Sequence, residues 1–340
     1  MNSNLKISFC IPTLNRGDLI NDSILSIINQ NIPETDYEII IVDGGSVDNT
    51  KDILDALKNK YNNIHVFYEK IGNGVGADLI TAIKNASGIY CWFFSDDDCL
   101  EPNVCVEVID KLISNNVSSA ITNYQCYDRS MNHKISTVKA INSHPVNLDK
   151  IFINPNDFFN SIGMHSGFIS SVIVNRCQCL DVIESSITEN NVNNPWIVVY
   201  ILGFIQKKYP ISIYIGKICV RNRTNNDSFS LRYGEFNRQL IAHKYFYSAL
   251  DELFPSKLVA NNIKRDYLKF RMPRSILRFK SKYPNFILQY NVYKLYFEAY
   301  RSFLIFWLLI IPMILLPNFI YKLIYDLYFY FIKLSNKKFD

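Results

Sequence analysis

Early in the chain, three apolar runs each stop on a short polar cluster, and this repetition constrains the fold more than any other feature. Residues 6–11 lead into Pro12-Thr13-Leu14-Asn15-Arg16, residues 38–42 into Asp43-Gly44-Gly45-Ser46, and residues 89–94 into Ser95-Asp96-Asp97-Asp98. Between the runs, apolar residues recur at helical spacing: Ile20, Ile24, Ile27 and Ile28, then Ile53, Leu54, Leu57 and Tyr61, then Leu79, Ile80 and Ile83. A run over 64–68 precedes the third of these helices. Pro102 suits the first turn of a fourth helix carrying Val104, Val108 and Leu112, and 118–127 returns as a strand. The alternation predicts an α/β fold, a mostly parallel sheet with helices on both faces. Ligands of such sheets bind beyond the carboxyl ends of the strands, so the three clusters are expected at one edge.

The clusters suggest a nucleotide site. Adjacent carboxylates after an apolar strand hold a hard divalent cation, and such a cation neutralises a diphosphate. Short polar residues after the first strand let backbone approach a base or ribose. A carboxylate after the second strand can accept from a base N–H or a ribose hydroxyl. The first strand lacks GxGxxG and no GxxxxGK[ST] occurs, which disfavours a dinucleotide fold and a P-loop. The 340 residues are 49% hydrophobic and carry a net charge of +5, enough for a sizeable core and too mild a charge to suggest a nucleic-acid partner. Eight cysteines without a CxxC pair read as reduced thiols. The first residues lack a signal peptide's apolar core, so the N-terminal part is expected in the cytosol.

Downstream the pattern loosens. Residues 128–235 contain two apolar stretches, 167–174 and 196–205, and a strand-like run over 211–220 that leads into Arg221-Asn222-Arg223. Residues 236–300 read as helices rich in Tyr and Phe, with a dense basic cluster over 264–282. Residues 303–316 are apolar apart from Pro312, and as a helix would measure about 21 Å against a hydrocarbon core of about 30 Å. Pro312 and Pro317 interrupt the segment, and aromatics with a few charges follow it. Basic residues beside an apolar, aromatic segment suit anionic headgroups, so we expect association with the cytoplasmic face of the inner membrane through a 303–334 tail rather than a full span.

The motifs Ile11-Pro12-Thr13-Leu14-Asn15-Arg16, Glu38 through Asp48 and Ala86 through Asp98 resemble family 2 glycosyltransferases of the GT-A fold. The resemblance covers about residues 5–127. Tyr90-Cys91-Trp92-Phe93, the 167–174 stretch and Asn226-Asp227-Ser228-Phe229 add a weaker similarity to O-antigen sugar transferases of the abequosyltransferase type. The family 2 resemblance implies a GT-A domain over 1–235, with a nucleotide-binding half at 5–127 and an acceptor half at 128–235, and a helical region over 236–340. It also implies a nucleoside-diphosphate-sugar donor, Mn²⁺ or Mg²⁺, and inversion at the anomeric carbon.

Carried over by motif, Pro12, Thr13 and Arg16 would line the nucleoside pocket, Asp43 would contact base or ribose, and Asp96 would sit beside the ribose or sugar. Asp97 takes the metal-binding place, with Asp98 a second candidate ligand. Asp78 stands in the donor region where the family often has an arginine, and Ser95 and Gly44 replace frequent aspartates. Arg221 and Arg223 are candidates for holding the diphosphate, with surface arginines as the rival reading. An inverting transfer needs a base; Glu189 lies near where the family places it, and Asp181 and Glu184 are alternatives. The expected acceptor is a hydroxyl of a lipid-linked glycan. A polyprenyl-phosphate glycosyl transferase and a sugar-nucleotide-binding scaffold remain open at this stage.

Overall fold

The computed structural model describes residues 5–70, 74–137, 148–224, 235–282, 290–317, 320–321 and 323. The alternation resolves into β1 (Ile7–Thr13), α1 (Ile20–Ile28), β2 (Tyr37–Asp43), α2 (Thr50–Lys60), β3 (Ile64–Tyr68), α3 (Val75–Asn85) and β4 (Tyr90–Phe93). β1 and β2 are buried along their whole length, which is why they read as continuous apolar runs. β3, β2, β1 and β4 are parallel neighbours in that order.

Beyond β4 the sheet departs from the expected mostly parallel pattern. β5 (Cys99–Leu100), α4 (Cys105–Asn115), β6 (Ser119–Tyr127), β7 (Lys134–Thr137), β8 (Lys150–Phe152), α5 (Pro155–Ile162) and β9 (Val172–Asn175) follow. β9 inserts antiparallel between β4 and β6. Then come α6 (Arg176–Ser186), α7 (Glu189–Val192), α8 (Ile197–Lys208) and β10 (Ser212–Arg223). β10 runs parallel to β6 and antiparallel to β5 and β8. The apolar 196–205 stretch is therefore a helix. The strand read at 211–220 continues through Arg223, so Arg221 and Arg223 lie within it.

Aromatic packing fixes the sheet centre. Phe9 of β1 stacks on Trp92 of β4 with ring centroids 5.4 Å apart, and Phe94 meets both edge-on. The Trp92 indole N–H donates to the Ser170 carbonyl at 2.9 Å, joining β4 to the turn before β9. At the opposite end from the polar clusters, buried Glu38 accepts from Ser8 Oγ at 2.6 Å and Ser87 N at 2.5 Å. That carboxylate is part of the sheet's own bonding.

The chain forms two compact units, Met1–Arg232 with Tyr245–Leu253, and Tyr233–Lys244 with Phe254–Asp340. α9 (Glu235–Leu253) contributes to both. In the first unit its C-terminal part packs on α8: a Cβ on Gly203 would lie 2.4 Å from a Leu253 methyl. The second unit contains α10 (Leu258–Asp266), α11 (Met272–Lys282), α12 (Tyr290–Tyr300) and α13 (Ile311–Leu315). Tyr267 and Tyr300 stack there, and Phe306 joins Tyr300. Among the described residues no helix is long and apolar enough to cross a membrane. The 303–316 segment is a wide turn over Phe306–Ile310 followed by the short α13. Residues 324–334 of the expected tail lie outside the described residues.

Candidate active site

Hydrogen bonds bring the three clusters to one edge of the sheet. Thr13 and Asp43 are register partners on β1 and β2, and Gly44 N donates to the Thr13 carbonyl at 2.9 Å. Pro12 pairs with Val42 inside the buried strand. Asn15 adopts a left-handed φ of 54°, a conformation its short polar side chain tolerates. Its N–H donates to Ser46 Oγ and its side-chain oxygen accepts from Val47 N, each at 2.8 Å, so the loops after β1 and β2 lock together. Arg16 N donates to Thr50 Oγ1 at 2.8 Å. Ser23 Oγ of α1 donates to the Ser95 carbonyl at 3.0 Å, tying in the third cluster.

The carboxylates divide by environment. Asp43 is 2% exposed; its Oδ1 accepts from Ser46 N at 3.0 Å and Ser46 Oγ at 2.6 Å. Asp78, in the first turn of α3, is 5% exposed. Burial, with the like charges of Glu69 and Asp43, pushes its carboxyl up to about 6. Asp96 pairs with Arg16 Nε at 3.5 Å. Burial and then the Asp97 charge push Asp96 up to about 7, against the pull of Arg16. Ser95 Oγ donates to Asp97 Oδ1. The expected donor residues Pro12, Thr13, Arg16, Asp43, Asp78 and Asp96 thus gather along the ends of β1, β2 and β4.

Three of the expected site residues have partners within the framework. Asp98 points into the framework: its Oδ1 accepts from Arg223 N at 2.9 Å and Asn222 Nδ2 at 3.0 Å, and its Oδ2 from Ser170 Oγ at 2.6 Å. Burial and the Asp97 charge raise its carboxyl to about 8, and these bonds work against the rise. Arg223, with a side chain 3% exposed, clasps the acidic loop. Its Nε donates to the Asp97 carbonyl at 2.8 Å, Nη1 to the Arg129 carbonyl at 2.6 Å, and Nη2 to Asp22 at 3.0 Å. Arg221 pairs with Glu101 at 2.9 Å and lies over the Tyr127 ring. It lines a 290 Å³ cavity with Asp22, Ser26 and Cys99 behind α1. These bonds hold the acidic motif in shape.

Among the described residues no group of three metal-ligating side chains is assembled. The donor set fits a divalent cation only as a partial shell. Asp97, half-buried between two carboxyls whose titration its charge disturbs, is the candidate ligand, and donor oxygens would complete the coordination.

Glu189 begins α7 and is exposed. α7 is fixed by a capping box in which Thr188 and Asn191 exchange hydrogen bonds. Asn191 Nδ2 also donates to Glu252 at 3.3 Å, and Tyr200 OH donates to the same carboxylate at 2.9 Å. The C-terminal end of α7 lies on α3: a Cβ on Gly76 would meet the Val192 carbonyl oxygen at 2.2 Å. Glu189 therefore sits on a segment docked two residues from Asp78. Asp181 is occupied elsewhere, paired with Lys208 at 2.6 Å and accepting from Tyr209 OH at 2.8 Å. Glu184 lies exposed on α6. Sequence reading missed Ser170, Asn222 and Gly76. Ser170 and Asn222 lie in stretches read for other reasons, and only the folded chain brings all three to the acidic loop or to α7.

Residues 8–174 match the model of glycosyl transferase family 2. The poly(ribitol-phosphate) beta-glucosyltransferase of Bacillus spizizenii is 44% identical over 95 residues, 28% of this chain and 15% of that protein. The abequosyltransferase of Salmonella typhimurium is 27% identical over 69% of this chain and 71% of its own length. The solved structure of Staphylococcus aureus TarS residues 1–349 in complex with UDP-GlcNAc superposes with a TM-score of 0.59 at 14% identity, covering 87% of this chain and 79% of that one. At that identity the likeness shows the fold alone.

Proposed function

We infer that this chain, a glycosyltransferase belonging to family 2 through residues 8–174, moves a sugar from a nucleoside-diphosphate donor to a hydroxyl of a lipid-linked glycan precursor. The observation that carries the reading is the convergence of Thr13, Arg16, Asp43, Asp78, Asp96 and Asp97 at the ends of three parallel strands. Asp43 faces the nucleoside, and Arg16 steadies Asp96 beside the ribose or sugar. Asp97 would hold Mn²⁺ or Mg²⁺ together with donor oxygens, and when bound the cation would offset charge on the leaving diphosphate.

The acceptor hydroxyl attacks the anomeric carbon as the bond to the diphosphate breaks, inverting that centre. Glu189 takes the hydroxyl proton. Its place on α7, docked against the donor side of the first unit, supports this role over Asp181. The free nucleoside diphosphate leaves as the second product. The similarity to a transferase named for abequose supports a surface-glycan product.

The second unit suits the cytoplasmic face of a membrane. Leu304, Leu308 and Leu315 are each at least 70% exposed, and Trp307 is 44% exposed. Lys269, Arg271 and Arg274 are also exposed in this unit. Lys280 of the same cluster is buried and donates to the Ile314 and Leu316 carbonyls at 2.5 and 2.6 Å, capping α13. Apolar area together with basic residues gives two membrane-binding signals.

The test is to incubate the full chain with a panel of nucleotide sugars and a lipid-linked glycan extract, then analyse the product. A new sugar-to-sugar glycosidic bond supports the reading. A sugar joined to phosphate replaces it with the polyprenyl-phosphate alternative.

A further inference from the structure

The crevice edge carries a carboxyl that neither the metal site nor proton transfer uses. Asp78 is 95% buried by its 5% exposure, and no hydrogen bond or ion pair to its side chain is present among the described residues. Its Oδ2 occupies the space beside Gly44, 2.8 Å from where a Cβ would stand. Any side chain at Gly44 would displace it. Gly44 itself is bound to Thr13 and follows Asp43, so the Asp78 carboxyl lies at the junction of β1 and β2 where the nucleoside is placed. Asp43 Oδ1 accepts from Ser46, and among the described residues its Oδ2 shows no hydrogen bond. The charges acting on Asp78 are Glu69, following β3, and Asp43, at the end of β2; both are acidic. A buried polar group without a partner costs free energy unless a ligand satisfies it.

We propose that Asp78 and Asp43 together read an exocyclic amino group on the donor's base, so that the crevice takes a nucleoside diphosphate of an amino-bearing base in preference to one of uracil or thymine. The inference rests on the donor crevice described above and adds its base selectivity. An amino group offers two N–H donors, one for each carboxyl, and ionised carboxyls only accept. Uracil and thymine present a single N–H between two carbonyls, and those carbonyls would face carboxylate oxygens. A site built to bond a substrate N–H rejects an analogue that lacks it strongly, because its own buried groups are then left unpaired. This selectivity would set the chain apart from the structural neighbour solved with UDP-GlcNAc.

The experiment is calorimetric titration of the full chain at pH 7.5 with CDP, GDP, ADP, UDP and dTDP in the presence of Mn²⁺, repeated on Asp78→Asn. At least one of CDP, GDP and ADP is expected to bind ten-fold or more tighter than UDP and dTDP. Asp78→Asn, nearly the same size, should shrink that ratio at least three-fold, since its amide both donates and accepts. UDP or dTDP binding as tightly as the best amino-bearing nucleotide overturns the proposal and leaves the donor crevice standing. An unchanged ratio in Asp78→Asn overturns the role of Asp78. If none of the five binds, the donor crevice itself fails and this inference with it.

Discussion

Gly76 of α3 and Val192 of α7 approach so closely that a Cβ on the glycine would lie 2.2 Å from the Val192 carbonyl oxygen. The contact is backbone against side-chain position, so a larger residue cannot rotate out of it. It sets the distance between the start of α3, which carries Asp78, and the segment that begins with Glu189. Gly76→Ala should displace α7 and lower transfer to acceptor at least ten-fold, while donor binding changes less than three-fold. Equal losses in both would mean that the glycine serves only folding. The helix gains alanine's better propensity, which works against any stability loss.

Glu189→Gln changes proton acceptance and leaves volume almost constant. Donor affinity should stay within two-fold and turnover should fall by about two orders of magnitude, the usual worth of a general base. Turnover within a factor of three of wild type would move the role to Glu184 or to a residue outside this segment.

Arg223 makes one clasp from four segments: Asp22 in α1, the Asp97 carbonyl, the Arg129 carbonyl and its own strand. Arg223→Met keeps the apolar stem and strips these partners, two of them carbonyls that then need new donors. The expected loss is about 3 kcal/mol, read as a lowered urea midpoint with unchanged slope. Arg223→Lys should not restore it, because an ammonium cannot span three divergent acceptors as the planar fork does. A lysine variant as stable as wild type would contradict the clasp.

Asp78 gives a pH signature. Its carboxyl is raised to about 6 in the folded chain, above the ordinary aspartate range. The folded state therefore keeps a proton that the unfolded state has released. The associated stability is fully present below about pH 4 and is lost as the pH rises through about 6. Asp78→Asn removes that loss. Without nucleotide, the variant should match wild type near pH 4 and exceed it above pH 6 by about 1–3 kcal/mol, the span a shift of this size allows. Parallel stability curves for the two proteins from pH 4 to 7.5 would contradict the shift.

Leu304 and Leu308 expose most of their surface in the second unit. Replacing both with Glu adds two negative charges and removes apolar area, so flotation with vesicles of phosphatidylcholine and phosphatidylglycerol should fall by more than half. Wild type should float less with phosphatidylcholine alone. Identical flotation of variant and wild type would remove this face from the membrane reading.

How much was legible depends on range in the chain. β1, β2 and β4 were visible because burial on both faces makes a strand an unbroken apolar run, and the polar residues at their ends follow directly. The place of β9 was not, since a short antiparallel strand inserted between β4 and β6 leaves no mark in its own sequence. Arg221 and Arg223 were read as following a strand that in fact contains them. A charged residue in a run breaks the apolar signal even where its side chain is buried against acceptors. Asp98 was read with its neighbours as one acidic triplet. Its separation from Asp97 is set by Ser170 and Asn222, which the sequence places far from it. The polar clusters at the strand ends needed only local order, whereas Gly76 and its contact with α7 required the tertiary fold.

The central claim is that the strand-end crevice binds an activated sugar and spends it. Its most direct test is release of nucleoside diphosphate from a panel of nucleotide sugars by the full chain in Mn²⁺, beside the Asp97→Ala variant shown folded by circular dichroism. The account predicts release from at least one donor, faster with glycan acceptor present, and at least a hundred-fold slower in the variant. No release from any donor across UDP-, GDP-, CDP-, ADP- and dTDP-sugars, or equal release by the Asp97→Ala variant, would contradict it.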